Sequence, residues 1–408
     1  MNIYLVVILF IIIGEYVLDL VVEGLNVRNV KTSLPIEFAG WYSADKYKKA
    51  QSYLKENTSF GLITKTILTA GILTFILTGS FNYIDRFARG FGFGPILTGL
   101  IFAGIIIIAL GIINIPFSVY NTFVIEEKYG FNKTTPKTFI LDILKSGVLT
   151  IIVGGIIFSA VLWFFGKTEA YAWVYCWVAV TLFQFFLMFI APVVIMPLFN
   201  KFIPLEDGEL KKSIEDYALR QNFKLKGIFK MDGSRRSVKS NAFFTGFGKY
   251  RRIVLFDTLI EKHTVAELVS VLAHEMGHFK KKHIFKHIAI SVLTSGLMFF
   301  ILSLLINNPG LFSAFKMEQL SIYASLFFFG FLYSPINMFF SIAGNILSRK
   351  YEYEADQYAV MTYKKRESMV SALKKLSVDN LSNLTPHPLK VFLEYSHPPV
   401  LERIKALK

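Results

Sequence analysis

Cysteine is almost absent from this chain: Cys176 is the single one in 408 residues, and it lies inside an apolar block. That excludes a disulfide framework and a thiolate metal site, so any metal chemistry falls to imidazole and carboxylate. It is also compatible with a reducing compartment. Charge is scarce as well. Only 18% of the residues are charged, too few to cover the surface of a soluble chain of this length. Internal repeats, low-complexity tracts and Gly/Ser linkers are missing, so the pieces read as parts of one folding unit.

What the chain has instead is apolar length. Hydrophobic residues make up 53% of it and Phe occurs 41 times, gathered in long blocks rather than short alternating runs. Blocks of about 20 apolar residues match a hydrocarbon core about 30 Å thick. Seven such segments are expected to span: Ile3–Leu25, Ser59–Gly79, Gly94–Tyr120, Leu144–Gly166, Tyr171–Phe199, Ile284–Ile306 and Gln319–Ile346. The first reads as a retained span, because Met1 to Ile3 carry no Lys or Arg and no small-residue cleavage site follows. Glu15, Asp19 and Glu23 sit on one face of it, which points carboxylates toward protein or water and away from lipid.

The net charge of +15 raises nucleic acid as a partner. No basic stripe interleaved with stacking aromatics accompanies it, so nucleic acid is not expected. Charge placement offers a better account. Seven spans put the loops after spans one, three and five, and the C-terminal tail, on one side. Those pieces hold most of the 44 Lys and Arg, whereas the opposite loops hold only Arg86, Arg89, Lys167 and Lys316. The positive-inside rule then places the polar regions in the cytoplasm and the N-terminus outside. The expected division is residues 1–199 (five spans and their loops), 200–283 (a polar region), 284–347 (two spans) and 348–408 (a second polar region).

The first polar region contains the chemistry. From Val265 to His278 apolar residues recur at helical spacing, with Thr264 as N-cap and Glu267 three residues on. On a helix His274 and His278 share a face, four residues apart. Two imidazoles so placed can bind one Zn²⁺, with Glu275 between them polarising a water. Arg252–Phe256 reads as a buried strand. A catalytic zinc needs a third protein ligand. The stretch Ser348–Asp356 follows the seventh span and offers Glu352, Glu354 and Asp356; spacing alone leaves Glu352 and Glu354 level as the ligand.

The blocks Phe123–Asn132, Ser240–Phe244, Arg252–Leu259, His274–His278, Ser348–Asp356 and Tyr395–Pro399, in that order over nearly the whole chain, resemble the type I CAAX prenyl protease family. The resemblance implies Glu352 as third ligand, Asp356 as the acid behind a ligating histidine, and His397 and Arg403 near the active site. It also implies that Asn241 and Ala242 lie on an edge strand where substrate aligns by strand addition. The implied architecture is mostly α: seven membrane helices enclosing a chamber, with a small zinc-protease domain of helices and a short sheet on the cytoplasmic side.

Together these readings give an integral-membrane zinc endopeptidase, with Glu275 as general base and His397 as oxyanion donor. Arg403 would hold substrate or brace the site. The resemblance gives the substrate as a lipidated C-a-a-X peptide or protein that loses its last three residues, in a setting of membrane lipids. A quality-control protease of broader range is the nearest rival, and a non-catalytic transporter or scaffold the rival from another class. His283 and His287 read as interfacial or structural, and no role falls to His263 or His387.

Overall fold

The computed structural model describes residues 2–245 and 251–408. Among them, seven helices are long and apolar enough to cross a membrane: Ile3–Arg28, Ala44–Thr78, Pro95–Glu126, Pro136–Lys167, Glu169–Phe199, His283–Leu305 and Ile322–Tyr363. Each packs beside its neighbours in chain order, and the seventh closes back on the first, so the spans form a ring. Few span residues are buried against protein, and in the most apolar stretch of the fifth none is. A solid bundle would bury one face of every helix. A ring around a hollow does not.

One end of the ring is stoppered by apolar packing. Phe81, Phe102, Phe312, Phe315 and Phe328 from four segments are all buried there. Phe315 stacks on Phe328 at 3.7 Å. The carboxylates of the first span point into protein as their spacing requires: Glu15 accepts from Ser334, Asp19 pairs with Lys65, and Glu23 accepts from Lys390 at 2.6 Å.

Three helices run two turns or more past the segments read from hydropathy. The second begins at Ala44, with Ser43 as N-cap accepting from the Lys46 amide. The fourth begins at Pro136, capped by Thr135. The seventh runs 42 residues to Tyr363, through the boundary drawn at 347/348. At 1.5 Å per residue it is about 63 Å long, roughly twice the hydrocarbon thickness. Hydropathy finds only the apolar part of a helix; these ends are polar and continue because nothing caps them earlier.

At the other end of the ring, the polar pieces build one body. A four-stranded sheet is ordered β1 (Phe202–Pro204), β2 (Gly227–Met231), β4 (Arg252–Phe256) and β3 (Ala242–Thr245), with β2 and β4 parallel and the outer pairs antiparallel. Ile253, Val254 and Leu255 are buried, as expected for β4, and β3 lies at a sheet edge. Against this sheet pack the helix Val265–Lys280 and the far end of the seventh span. A second apolar cluster ties Phe38, Tyr42 and Tyr47 of the first loop to Ile125, Tyr129 and Phe131, and to Leu381 and Leu384 of the tail. The polar pieces after spans one, three, five and seven therefore share a side.

Candidate metal centre

The helix Val265–Lys280 starts on a full capping box: Thr264 accepts from the Glu267 amide, and Glu267 accepts from the Thr264 amide. It carries His274 and His278 on one face. The seventh span crosses it closely. A β-carbon on Gly277 would lie 3.0 Å from the Ala355 α-carbon and 3.1 Å from its carbonyl oxygen, so glycine lets the two backbones pack this closely where a side chain would push them apart. That contact brings Glu352, one turn before Asp356, up to the two imidazoles.

His274 Nε2 and His278 Nε2 are 3.1 Å apart. Glu352 Oε2 lies 3.4 Å from the first and Oε1 lies 3.1 Å from the second. His274 Nδ1 donates to Asp356 Oδ1 at 2.8 Å, which leaves the Nε2 lone pair facing inward. Arg403 grips Asp356 with two bonds, Nε to Oδ2 at 2.8 Å and Nη2 to Oδ1 at 2.6 Å, while Nη1 sits 3.2 Å from Glu352 Oε2. Spacing had left Glu352 and Glu354 level. The fold separates them: Glu352 faces both imidazoles, and Glu354 turns to His283 at 3.0 Å.

Glu275 lies on the same helix, and burial pushes its pKa up, while the neighbouring imidazoles and Arg403 pull it down. Burial would also lower His274, yet Asp356 and Glu352 outweigh it and raise it to about 9. These carboxylates make a pocket that favours positive charge. His397 is largely exposed, with Nε2 3.4 Å from Glu352 Oε1 and Nδ1 2.9 Å from Ser396 Oγ. Asn241 is exposed before β3; its Oδ1 accepts from the Ala242 amide at 2.8 Å, on the edge away from β4.

The residues fit a metal ion. One donor atom each from His274, His278 and Glu352 fall within 4.8 Å of one another. Glu352 Oε2 is buried and accepts no well-aligned hydrogen bond. That oxygen has the Arg403 guanidinium 3.2 Å away as a charge partner, and with two inward imidazole nitrogens beside it the set suits a further cation among them.

His283, read from the sequence as interfacial or structural, is the most buried histidine here, its side chain 1% exposed. It contacts both His278 and Glu354. Only a break in the helix brings it there, and no spacing rule signals that.

Known proteins align with this arrangement. Residues 25–201 match the family described as CAAX prenyl protease N-terminal, five membrane helices, and residues 204–408 match peptidase family M48. A CAAX prenyl protease 1 homolog of Arabidopsis thaliana is 37% identical, covering 92% of this chain and 90% of the relative. One of Homo sapiens is 34% identical over 94% and 90%. The crystal structure of S. mikatae Ste24p superposes with a TM-score of 0.94 at 33% identity, covering 99% of both chains. With both halves matched and relatives of this similarity along nearly its whole length, the chain belongs to peptidase family M48, in the branch with a membrane-helix CAAX prenyl protease N-terminal region.

Proposed function

We propose that this protein is a zinc endopeptidase of the membrane that removes the C-terminal tripeptide from prenylated C-a-a-X proteins. The observation that carries the reading is the convergence of His274, His278 and Glu352, with Glu275 on the same helix. The relatives' names supply the substrate class. Zinc held by the three ligands supplies Lewis acidity and a more acidic water at the site.

The chain's own groups do the rest. Glu275 accepts the proton of the attacking water and delivers it to the leaving amine. His397, exposed beside Glu352, donates to the oxygen that gains charge. Arg403 spends its hydrogen bonds on Asp356 and so braces the ligand set. On β3 the outward amide of Ala242 pairs with the peptide backbone once Asn241 Oδ1 releases it. The excess of Lys and Arg in the loops on this side supports a cytoplasmic site by the positive-inside rule.

The test is cleavage of a farnesylated C-a-a-X peptide by purified protein in detergent, beside Glu275→Ala and a non-lipidated peptide. Zinc-dependent cleavage of the lipidated peptide, lost in the variant, is expected. Equal cleavage of both peptides would replace the prenyl specificity with a broader one. No cleavage of either by folded, zinc-loaded protein would sink the reading.

A further inference from the structure

His283 opens the sixth span, five residues after His278. In an unbroken helix two such residues point about 140° apart and their rings cannot meet. Here Lys282 adopts a left-handed conformation, φ 59°, and ends the first helix before the span begins. The turn folds His283 back until its Nδ1 is 3.1 Å from His278 Nδ1. Its other nitrogen, Nε2, is 3.0 Å from Glu354 Oε2. The ring lies flat on Tyr351, centroids 4.0 Å apart and planes 8° from parallel. Stacking fixes the plane of the imidazole and the two polar contacts fix its rotation.

We propose that Glu354 and His283 are positioning residues that set the tautomer and orientation of His278 for the metal. The inference rests on the zinc reading above. Its proton bookkeeping follows from the contacts. The Glu354 carboxylate has no proton to give, so His283 Nε2–H donates to it. Neutral His283 then has a lone pair on Nδ1, which accepts from His278 Nδ1–H. That leaves the His278 Nε2 lone pair facing His274 and Glu352, where a cation would be held. The reverse order would put a proton on His278 Nε2 and block ligation.

The two imidazole ligands are thus anchored in parallel. His274 is held directly by Asp356, which Arg403 clamps; His278 is held through His283 by Glu354. Partners of this kind fix ring orientation and raise ligand basicity, and losing one weakens metal binding by roughly 10- to 100-fold. The arrangement also gives Glu354 a task distinct from that of Glu352, two residues earlier on the same helix.

The experiment measures zinc affinity of the full-length protein in detergent, by competition with a chromophoric chelator, for wild type, His283→Ala, Glu354→Ala and Glu354→Gln. Melting of each zinc-free form is followed in parallel. Both alanine variants are expected to bind zinc about 10- to 100-fold more weakly, and Glu354→Gln, whose amide oxygen still accepts from His283, to recover most of the affinity. Glu354 is 30% exposed at its side chain, so its truncation leaves the fold intact and decides the matter should His283→Ala fail to fold. Alanine variants that hold zinc as tightly as wild type would overturn the proposal. So would a loss of affinity that merely follows a lower zinc-free melting temperature and is not rescued by glutamine. A wild type that binds no zinc would instead sink the metallopeptidase reading itself.

Discussion

His397 is far more exposed than the other histidines of the site, its side chain 65% exposed. Arg403 is bound to Asp356, His274 to Asp356, and His283 to Glu354, whereas His397 touches only Ser396 and the edge of Glu352. An exposed donor beside Glu352 is suited to a charge that exists only during reaction. His397→Ala is therefore expected to lower kcat by about 10²- to 10³-fold with little change in KM. Steady-state kinetics on a fluorogenic peptide check this, and an unchanged kcat would remove His397 from the mechanism. Glu275 was readable in the sequence because its partners are one residue before and three after it. Spacing did not separate Glu352 from Glu354, since two residues along a helix are about 200° apart; the family resemblance favoured Glu352, and the crossing of the neighbouring helix turns it toward the imidazoles.

The helix Val265–Lys280 is an element set at both ends by local chemistry. Its capping box does more than start the helix. Buried Glu267 accepts from Lys375 Nζ at 2.7 Å, from Ser371 Oγ, and from the Thr264 amide at 2.8 Å. Burial alone would raise its pKa, but these donors prevail and hold it below the ordinary carboxylate value. A depressed folded-state pKa means the stabilisation is present above the unfolded value of about 4.3, and is lost as pH falls through the folded pKa. Zinc-free wild type should thus lose melting temperature more steeply than zinc-free Glu267→Gln on acidification below that value. Parallel curves would show that Glu267 does not carry the dependence. At the far end Lys282 breaks the helix, and at Gly277 the seventh span comes within contact of its backbone. The glycine was visible in the motif; its reason is the crossing, which involves a residue almost eighty positions later.

Taken as a whole, the molecule is a ring of spans stoppered by phenylalanines at one end and closed by the peptidase body at the other. That the polar pieces share a side is seen in their packing; that the side is cytoplasmic rests on charge. Cys176 is buried and can be replaced by alanine to give a chain without thiols. In that background Lys212→Cys lies in the peptidase region and Lys167→Cys in an opposite loop, both exposed. An impermeant maleimide on intact cells is expected to label the second and not the first until the membrane is opened. The reverse pattern would put the site outside.

The sequence by itself determined whatever depends on neighbours along the chain. Apolar block length set seven spans, a four-residue interval set the histidine pair, Thr264 and Glu267 set the start of their helix, and the order of short blocks set the family resemblance. Polar helix ends such as Ala44 to Thr58 escaped it, because hydropathy measures partition into lipid and not helicity. The family resemblance named Glu352 and set Arg403 near the site; only the tertiary structure showed Glu352 turned to the imidazoles and Glu354 away, Arg403 clamped on Asp356, and His283 standing behind His278. Each of those depends on the angle at which two distant segments cross, or on a single left-handed residue that reverses a side chain's direction, and neither leaves a period in the sequence.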